Sequence, residues 1–137
     1  MLENPKVNIK IKLAALWASV TFCYLYGDYF ELYTPEKVDS LITGQNILDS
    51  PTKLLVASII LAISSVMVAA SVLLKPKINR ILNIVFGSFF TLMMLFIGFN
   101  SMTEWYSFYV FLAFVESILT FLIVWYAIKW PKQHDNG

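Results

Sequence analysis

Four long apolar segments dominate the sequence and limit the folds that it can adopt. They run roughly from Ile11 to Tyr33, Thr52 to Leu74, Ile78 to Phe99 and Trp105 to Trp130, and are called spans 1 to 4. Each has close to the ~20 residues that a helix needs to cross a ~30 Å hydrocarbon layer. The sequence therefore predicts an all-α membrane protein, in which residues 1–137 form one antiparallel bundle of four transmembrane helices.

Composition and charge support this class of protein. Hydrophobic residues make up 58% of the chain and charged residues 14%, whereas about a quarter of the residues in a soluble domain are charged. The net charge of +1 and the position of the basic residues at the ends of the spans give no indication of nucleic-acid binding. The expected surroundings of the protein are therefore a lipid bilayer.

The distribution of Lys and Arg predicts the orientation of the spans, because cytoplasmic links of membrane proteins carry an excess of basic residues. Two basic residues, Lys37 and Lys53, fall on one side of four antiparallel spans, and eight fall on the side of the termini. The eight are Lys6, Lys10, Lys12, Lys75, Lys77, Arg80, Lys129 and Lys132. We therefore expect a multi-pass protein of the plasma membrane, the inner membrane of a bacterium, with both termini in the cytoplasm.

The connection between spans 1 and 2, residues 34–50, is the only long one. Thr34, Pro35 and Gly44 stand where an N-cap, a first helical residue and a residue just past the helix end are expected. This order predicts a short extra helix within Thr34–Gly44, in the first outer loop. Such a helix lies on the outer membrane surface, either as a packed connector or as a lid over a cavity.

Local signals also predict where the spans begin and end. Ser50-Pro51 is typical of an N-cap followed by a first-turn proline, and it opens span 2. Pro76 disfavours helix at the residue before it, so span 2 ends near this proline. Ser101 and Glu104 have the spacing of a capping box, which predicts that Ser101 opens span 4.

Glu116 lies near the middle of span 4, and no Lys or Arg lies at its level. Counting ~1.5 Å per residue from Trp105 places it roughly 17 Å from the outer boundary. A carboxyl group is costly in hydrocarbon, so this position indicates a functional site. Because removal from water disfavours the charged form, we expect Glu116 to be neutral near pH 7 and to donate a hydrogen bond to a hydroxyl. The hydroxyls at a similar level are those of Thr21, Ser64, Ser65, Ser88 and Thr91, and Thr120 follows Glu116 on its own helix face.

Span 1 carries a polar and aromatic stripe. Trp17, Thr21, Tyr24, Asp28 and Glu31 follow one another at spacings of three or four residues, so they share one helix face. Because lipid does not solvate Thr21 or Asp28, we expect this stripe to face the interior of the bundle. A homodimer that buries the same stripe between two subunits is an alternative arrangement.

Small residues on one helix face predict close approach of neighbouring helices. Such faces consist of Ala15, Ser19, Cys23 and Gly27 in span 1, of Ser58, Ala62, Ser65 and Ala69 in span 2, and of Gly87, Thr91 and Gly98 in span 3. We expect all three faces to pack against other spans, with Cys23 as an inert small residue.

The outer end of the spans combines acidic with aromatic residues, an arrangement that suits an organic cation. The candidate ligand- or proton-binding residues are Glu116, Asp28, Glu31, Tyr24, Thr21, Tyr109 and Thr120. The only histidine, His134, lies in the C-terminal tail, and the sequence has no phosphate-binding glycine loop. We therefore expect no catalytic residues, no metal and no cofactor, and we do not expect an enzyme.

The segment Tyr24-Leu-Tyr-Gly-Asp28, followed by Leu32-Tyr-Thr-Pro35, resembles a family of uncharacterised bacterial four-helix membrane proteins of this length. The resemblance covers nearly the whole chain and implies a fold and a membrane location, but no activity. In size the chain is also similar to the small multidrug resistance transporters, which have one essential glutamate in their first span. Here the acid near the middle of the membrane is in span 4.

Two functions fit these features. The first is a small ligand-binding or transport bundle, in which Asp28 and Glu31 recruit a cationic or lipid-like ligand and Glu116 binds the ligand or a proton. The second is an accessory or structural membrane protein, whose buried polar groups only fix the packing of the helices. A cavity that joins Asp28 to Glu116 favours the first function, and a filled core favours the second.

Overall fold

The computed structural model of the protein describes residues 1–132 and confirms the all-helical fold. In chain order the helices are α1 (Ile9–Glu31), α2 (Lys37–Thr43), α3 (Pro51–Leu73), α4 (Pro76–Asn100) and α5 (Ser107–Ile128), with a 3-10 turn (Glu104–Tyr106) before α5. Counting this turn with α5, the four long helices are long and apolar enough to cross a membrane. No strand occurs in residues 1–132.

Side-chain caps explain two of the helix starts. Asn8 Oδ1 accepts a hydrogen bond from Lys10 N at 2.8 Å, so α1 begins before the apolar pattern does. Ser50 Oγ accepts a hydrogen bond from Lys53 N at 3.1 Å, and Pro51 is the first residue of α3, as the N-cap signal predicts. The caps therefore fix these boundaries more closely than hydropathy does.

The predicted start of the short helix in the first loop was wrong. Thr34 Oγ1 donates to Glu31 O at 2.7 Å, so this side chain closes α1 instead of opening α2. Pro35 precedes α2, whose N-cap is Glu36 in the left-handed conformation, with φ of 67°. Gly44 ends α2 with φ of 77°, which agrees with its predicted place just past the helix.

The capping box predicted at the start of the last span was also wrong. Ser101 is the C-cap of α4, and its N–H donates to Gly98 O at 3.4 Å. The chain then forms the 3-10 turn from Glu104 and enters α5 at Ser107. Because α4 extends to Asn100, Ser101 is used to end one helix and does not start the next.

α1 and α5 occupy the centre of the molecule. α1 packs against α3 and α5, and α5 packs along α4, which gives the lateral order α3, α1, α5, α4. α3 and α4 are consecutive in the sequence but contact each other little. We call the end of the long helices that carries the start of α1, the α3–α4 turn and the end of α5 the terminal end, and the opposite end the loop end.

An apolar core lies along the inner faces of the long helices. Trp17 meets Phe90 edge to face, with ring centroids 5.7 Å apart. The core consists of Leu13, Trp17, Val20, Tyr24, Met67, Phe90, Met94 and Ile123. α4 and α5 approach closely at Gly87, where an added Cβ would lie 2.8 Å from Val124 Cγ2, and this confirms the predicted packing face of span 3.

The other two small-residue faces do not pack as predicted. Ser58, Ala62, Ser65 and Ala69 of α3 are exposed, and so are Ala15 and Ser19 of α1. α3 instead turns Ser64, Met67 and Ser71 inward, a face that contains one large apolar residue and two hydroxyls. Burial of the Met67 side chain and pairing of the two hydroxyls favour this face over the smaller one.

A hydrogen-bonded cluster joins α1, α3 and α4 in the terminal half. Trp17 Nε1 donates to Asn83 Oδ1 at 2.7 Å, and Asn83 Nδ2 donates to Asn79 Oδ1 at 2.7 Å. Asn79 Nδ2 donates to Ser71 O at 2.7 Å, and Ser71 Oγ donates to Asn83 Oδ1 at 3.4 Å. All four residues are at most 1% exposed. We call Trp17, Ser71, Asn79 and Asn83 the asparagine cluster; its two asparagines were not among the predicted polar residues.

Arg80, near the start of α4, binds the end of α5. Its Nε donates to Ala127 O at 3.0 Å, and its Nη2 donates to Ile128 O at 3.3 Å. Both carbonyls lie in the last turn of α5, where Ala127 O also accepts from Trp130 N at 3.2 Å, and a cation at a helix C-terminus interacts favourably with the helix dipole. Arg80 therefore holds α4 and α5 together at the terminal end.

Candidate ligand cavity

A cavity of about 330 Å³ lies between the long helices in their loop half. Residues of all four long helices line it, together with Ile47 and Leu48 from the loop after α2. Tyr24, Asp28, Tyr109 and Glu116 are the polar members of this lining, and the remaining residues are glycine or apolar. The volume is at the lower end of the ~300–1,000 Å³ typical of small-molecule sites.

The two acidic residues of the cavity come from different helices and differ in exposure. Asp28 belongs to the last turns of α1 and is exposed, whereas Glu116 on α5 is only 4% exposed. No Lys or Arg is among the described residues that line the cavity. The cavity therefore offers two carboxyl groups with no basic side chain in its lining, and Lys37, which lies near Asp28, is paired with Glu31.

The hydroxyl of Tyr24 is the second unusual feature of this site. It is buried and has no hydrogen-bond partner within residues 1–132. The tyrosine ring packs against Phe90, with centroids 5.8 Å apart, so the side chain is held in the core, and it also lines the cavity. A buried polar group without a partner is costly, so this hydroxyl lowers the stability of the loop half.

The hydroxyl groups of the middle level do not converge on Glu116 as predicted. Thr21 Oγ1 lies 3.1 Å from Ser64 Oγ, which joins α1 to α3, and Thr91 Oγ1 lies 2.7 Å from Thr120 Oγ1, which joins α4 to α5. Within residues 1–132 the Glu116 carboxyl makes no hydrogen bond to any of the five predicted acceptors. Each of these four paired hydroxyls also donates to a backbone carbonyl of its own helix, so none needs the side-chain carboxyl of Glu116 as a partner.

Three of the predicted site residues lie outside the cavity. Thr21 lines a separate recess of about 170 Å³ between α1 and α3, which Asp28 also lines. Thr120 is buried between α4 and α5. Glu31 accepts a hydrogen bond from Tyr106 at 3.2 Å and pairs with Lys37 Nζ at 3.1 Å, so it joins the start of α2 to the 3-10 turn.

The cavity thus brings together Asp28, Glu116, Tyr24 and Tyr109 of the predicted residues. The expectation that the stripe of span 1 faces inward holds for Trp17 and Tyr24, which are buried, and for Asp28, which lines the cavity although it is exposed near the helix end. α1 ends at Glu31, so Asp28 is within one turn of the loop end and is not enclosed by neighbouring helices.

The apolar wall of the cavity was not predicted. Gly27 was assigned to close helix packing, but a Cβ there would lie 3.6 Å from Leu112 Cδ1, an ordinary contact distance. The apolar wall includes Met93 and Ile97 of α4 and Ala57 and Ile60 of α3. Ordinary apolar residues give no sequence signal that separates a cavity wall from a packed core.

No group of three or more His, Cys, Asp and Glu side chains that could hold a metal ion occurs in residues 1–132. His134 lies outside the described residues. The polar chemistry of the cavity therefore comes from two carboxyl and two phenol groups.

These features define a small all-helical protein with four apolar helices, compatible with a membrane protein, and with a cavity in one half. Residues 4–136 match the family described as "Family of unknown function (DUF6326)", and the chain belongs to that family. This confirms the predicted membership of an uncharacterised family over nearly the whole chain. No curated protein and no solved structure matches the chain.

Proposed function

We propose that this protein binds a small organic cation with an apolar body in the cavity of its loop half. The observation that carries the proposal is that one cavity is lined by both Asp28 and Glu116. A cavity lined by two carboxyl groups and by no basic side chain favours a positively charged ligand, because a cation would pair with Asp28 and would stabilise the charged form of Glu116. An anionic ligand would face both acids and is disfavoured for the same reason.

The remaining lining supports an organic cation over a bare metal ion. Tyr24 and Tyr109 supply aromatic rings beside the acids, and aromatic faces attract ammonium groups. The other side chains of the lining are apolar and suit the carbon skeleton of a ligand. Binding is the proposal, and transport would further require a second state of the cavity that opens to the terminal end.

The proposed location is the plasma membrane, the inner membrane of a bacterium, with both termini in the cytoplasm. Eight of the ten Lys and Arg residues fall at the terminal end or in the segments next to it. An excess of basic residues is typical of the cytoplasmic side. In this orientation the cavity lies in the outer half of the membrane and Asp28 is near its outer surface.

The test is calorimetric titration of detergent-solubilised protein with benzyltrimethylammonium, which combines a fixed positive charge with an apolar ring. We expect saturable binding that Asp28→Asn and Glu116→Gln each weaken by at least about tenfold, a loss of ~1.4 kcal/mol or more. Asp39→Asn and Glu104→Gln are matched controls, because both acids are exposed at the loop end and line no part of the cavity. Equal weakening by the controls would mean that surface charge, and not the cavity, attracts the cation.

A structural or accessory role is the second candidate, and the asparagine cluster is the observation that favours it. The buried side chains of this cluster are paired within the chain and join three helices. If this role is the whole function, benzyltrimethylammonium does not bind and Glu116→Gln changes neither stability nor activity. A homodimer remains part of this proposal, and the exposed small residues of α3 offer a face for it.

A further inference from the structure

The two sides of the cavity differ in chemistry. The carboxyl and phenol groups all come from α1 and α5, at the centre of the molecule. α3 and α4 contribute only apolar side chains, including Ala57, Ile60, Met93 and Ile97. A ligand in this cavity would therefore place its polar atoms toward the centre and its apolar atoms toward α3 and α4.

The apolar side of the cavity lies where α3 and α4 are separated. At the terminal end Asn79 Nδ2 donates to Ser71 O at 2.7 Å and to Leu74 O at 3.3 Å, so the two helices are joined beside their turn. Beyond this join they contact each other little, although both line the cavity in the loop half. Because α3 and α4 both line the cavity and contact each other little, no closely packed helix pair closes the side of the cavity between them.

The residues along this opening are neither buried in a core nor polar. Ala57, Ile60, Met93 and Ile97 are all half-buried, as expected of side chains that border an opening. On the loop side, Ile47 and Leu48 contribute further apolar surface to the cavity. In a bilayer, the opening between α3 and α4 is therefore continuous with the hydrocarbon of the outer half.

We infer that the ligand is a single-chain amphiphilic ammonium ion, whose head group lies against Asp28 and Glu116 and whose alkyl chain passes between α3 and α4 into the bilayer. This inference rests on the proposed function and specifies its ligand class and its route of entry. A cavity of about 330 Å³ holds the head group and the first part of the chain, while the rest of the chain stays in lipid. A neutral lipid would supply no counter-charge to Asp28 and would not stabilise the charged form of Glu116.

The test is competition by alkyltrimethylammonium ions, from butyl to hexadecyl, against radiolabelled benzyltrimethylammonium bound to the protein in phosphatidylcholine nanodiscs. Each competitor is expressed as its mole fraction in the lipid. Because the chain is in hydrocarbon before and after binding, we expect half-maximal competition to vary by less than about threefold from octyl to hexadecyl, whereas transfer of the chain from water would change it roughly fourfold per methylene. A chain length above which competition is lost would overturn the lateral position, because it would show that the cavity encloses the tail.

The other outcomes separate this inference from the proposed function. If the benzyl probe binds but no alkyl member competes, the amphiphile is wrong and the cation site stands. If the benzyl probe itself does not bind, the proposed function fails, and the inference fails with it.

Substitutions on α3 test the route directly. Ala57→Phe places a ring in the opening and should weaken competition by the hexadecyl ion about tenfold more than it weakens binding of the benzyl probe, because the alkyl chain passes through the opening and the benzyl probe does not. Ala69→Phe adds the same ring at an exposed position of α3 that does not line the cavity, and should change neither. Ala57→Leu is the milder variant if the phenylalanine prevents folding. Equal weakening of both ligands, or of neither, would overturn the lateral route.

Discussion

The terminal half and the loop half of this protein treat buried polar side chains in opposite ways. In the terminal half the amide of Asn83 accepts from Trp17 and donates to Asn79, and both asparagines are at most 1% exposed. In the loop half the Tyr24 hydroxyl has no partner within residues 1–132, and the Glu116 carboxyl lies beside a cavity. Buried polar groups therefore fix the packing of the helices in the terminal half, whereas in the loop half the Tyr24 hydroxyl is left without a partner and Glu116 lines a cavity.

The packing of the helices follows the same division. α3 and α4 are joined by hydrogen bonds near their turn and otherwise contact each other little, and both line the cavity in the loop half. Because unsatisfied polar groups are costly in hydrocarbon, a half that is fully bonded can be rigid and dry. The comparison predicts that substitutions in the terminal half affect stability, and that substitutions in the loop half affect binding.

The largest effect is expected for Asn83→Ala. The change removes the acceptor of Trp17 Nε1 and the donor to Asn79, and so leaves buried polar groups unpaired. We expect a loss of about 3 kcal/mol in the free energy of unfolding, since each unsatisfied buried group costs ~1–3 kcal/mol. Denaturation in mixed detergent micelles measures it. Asn100→Ala is the control on the same helix, because Asn100 is exposed and bonds only to Phe96 O. An equally large loss of unfolding free energy for this control would show that the two halves do not differ in this respect.

Glycine-to-alanine changes should have an intermediate effect on stability, and the effect should differ between Gly87 and Gly27. At Gly87 the added Cβ would lie 2.8 Å from the stiff side chain of Val124, so the change forces α4 and α5 apart. At Gly27 the nearest atom, Leu112 Cδ1, is 3.6 Å away. We expect Gly87→Ala to cost about 1–2 kcal/mol in unfolding free energy, and Gly27→Ala to leave stability unchanged while it weakens cation binding. Thermal unfolding measures the stability of both variants, and calorimetry measures their cation binding. A loss of stability for Gly27→Ala without one for Gly87→Ala would refute the prediction.

The smallest effect on stability is expected for Tyr24→Phe. The substitution removes a hydroxyl that has no partner and keeps the ring that packs against Phe90. Stability should therefore rise slightly, by about 0.5 kcal/mol, while affinity for an ammonium ligand that carries a hydrogen-bonding group falls. Trp17→Phe is the counterpart in the terminal half and should lower stability, because it removes the 2.7 Å bond to Asn83 Oδ1 and leaves that oxygen only the longer bond from Ser71 Oγ at 3.4 Å. A drop in stability for Tyr24→Phe would show that its hydroxyl is satisfied in the folded protein.

Much of the fold could be predicted from the sequence, because apolar segments of membrane length and the N-cap at Ser50 are local signals. The asparagine cluster was missed although Asn79 and Asn83 are four residues apart and therefore on one helix face. Both lie near the end of a span, where polar residues are ordinarily assigned to the interface. Their role depends on Trp17 and Ser71, which are distant in the sequence.

The candidate site was predicted only in part, because depth along a helix does not specify rotation about its axis. Counting residues placed Thr21 and Thr91 at the level of Glu116. Thr21 instead bonds to Ser64 between α1 and α3, and Thr91 bonds to Thr120 between α4 and α5. Asp28 and Tyr109 were found because an acid or a phenol in an apolar segment stands out. The apolar wall formed by α3 and α4 could not be found, since it depends on how far these two helices separate.

The contact between Arg80 and the end of α5 also has a consequence for the order of assembly during synthesis. Ala127 is synthesised 47 residues after Arg80. The guanidinium of Arg80 therefore cannot bond to its carbonyl partners until nearly all of the helical chain has been made. The pairing of α1 with α3, by contrast, involves residues that are complete before α5 begins. A nascent chain that stops before Ala127 therefore lacks the hydrogen bonds that join the start of α4 to the end of α5. Until the final turn of α5 is made, the hairpin of these two helices is not closed at the terminal end.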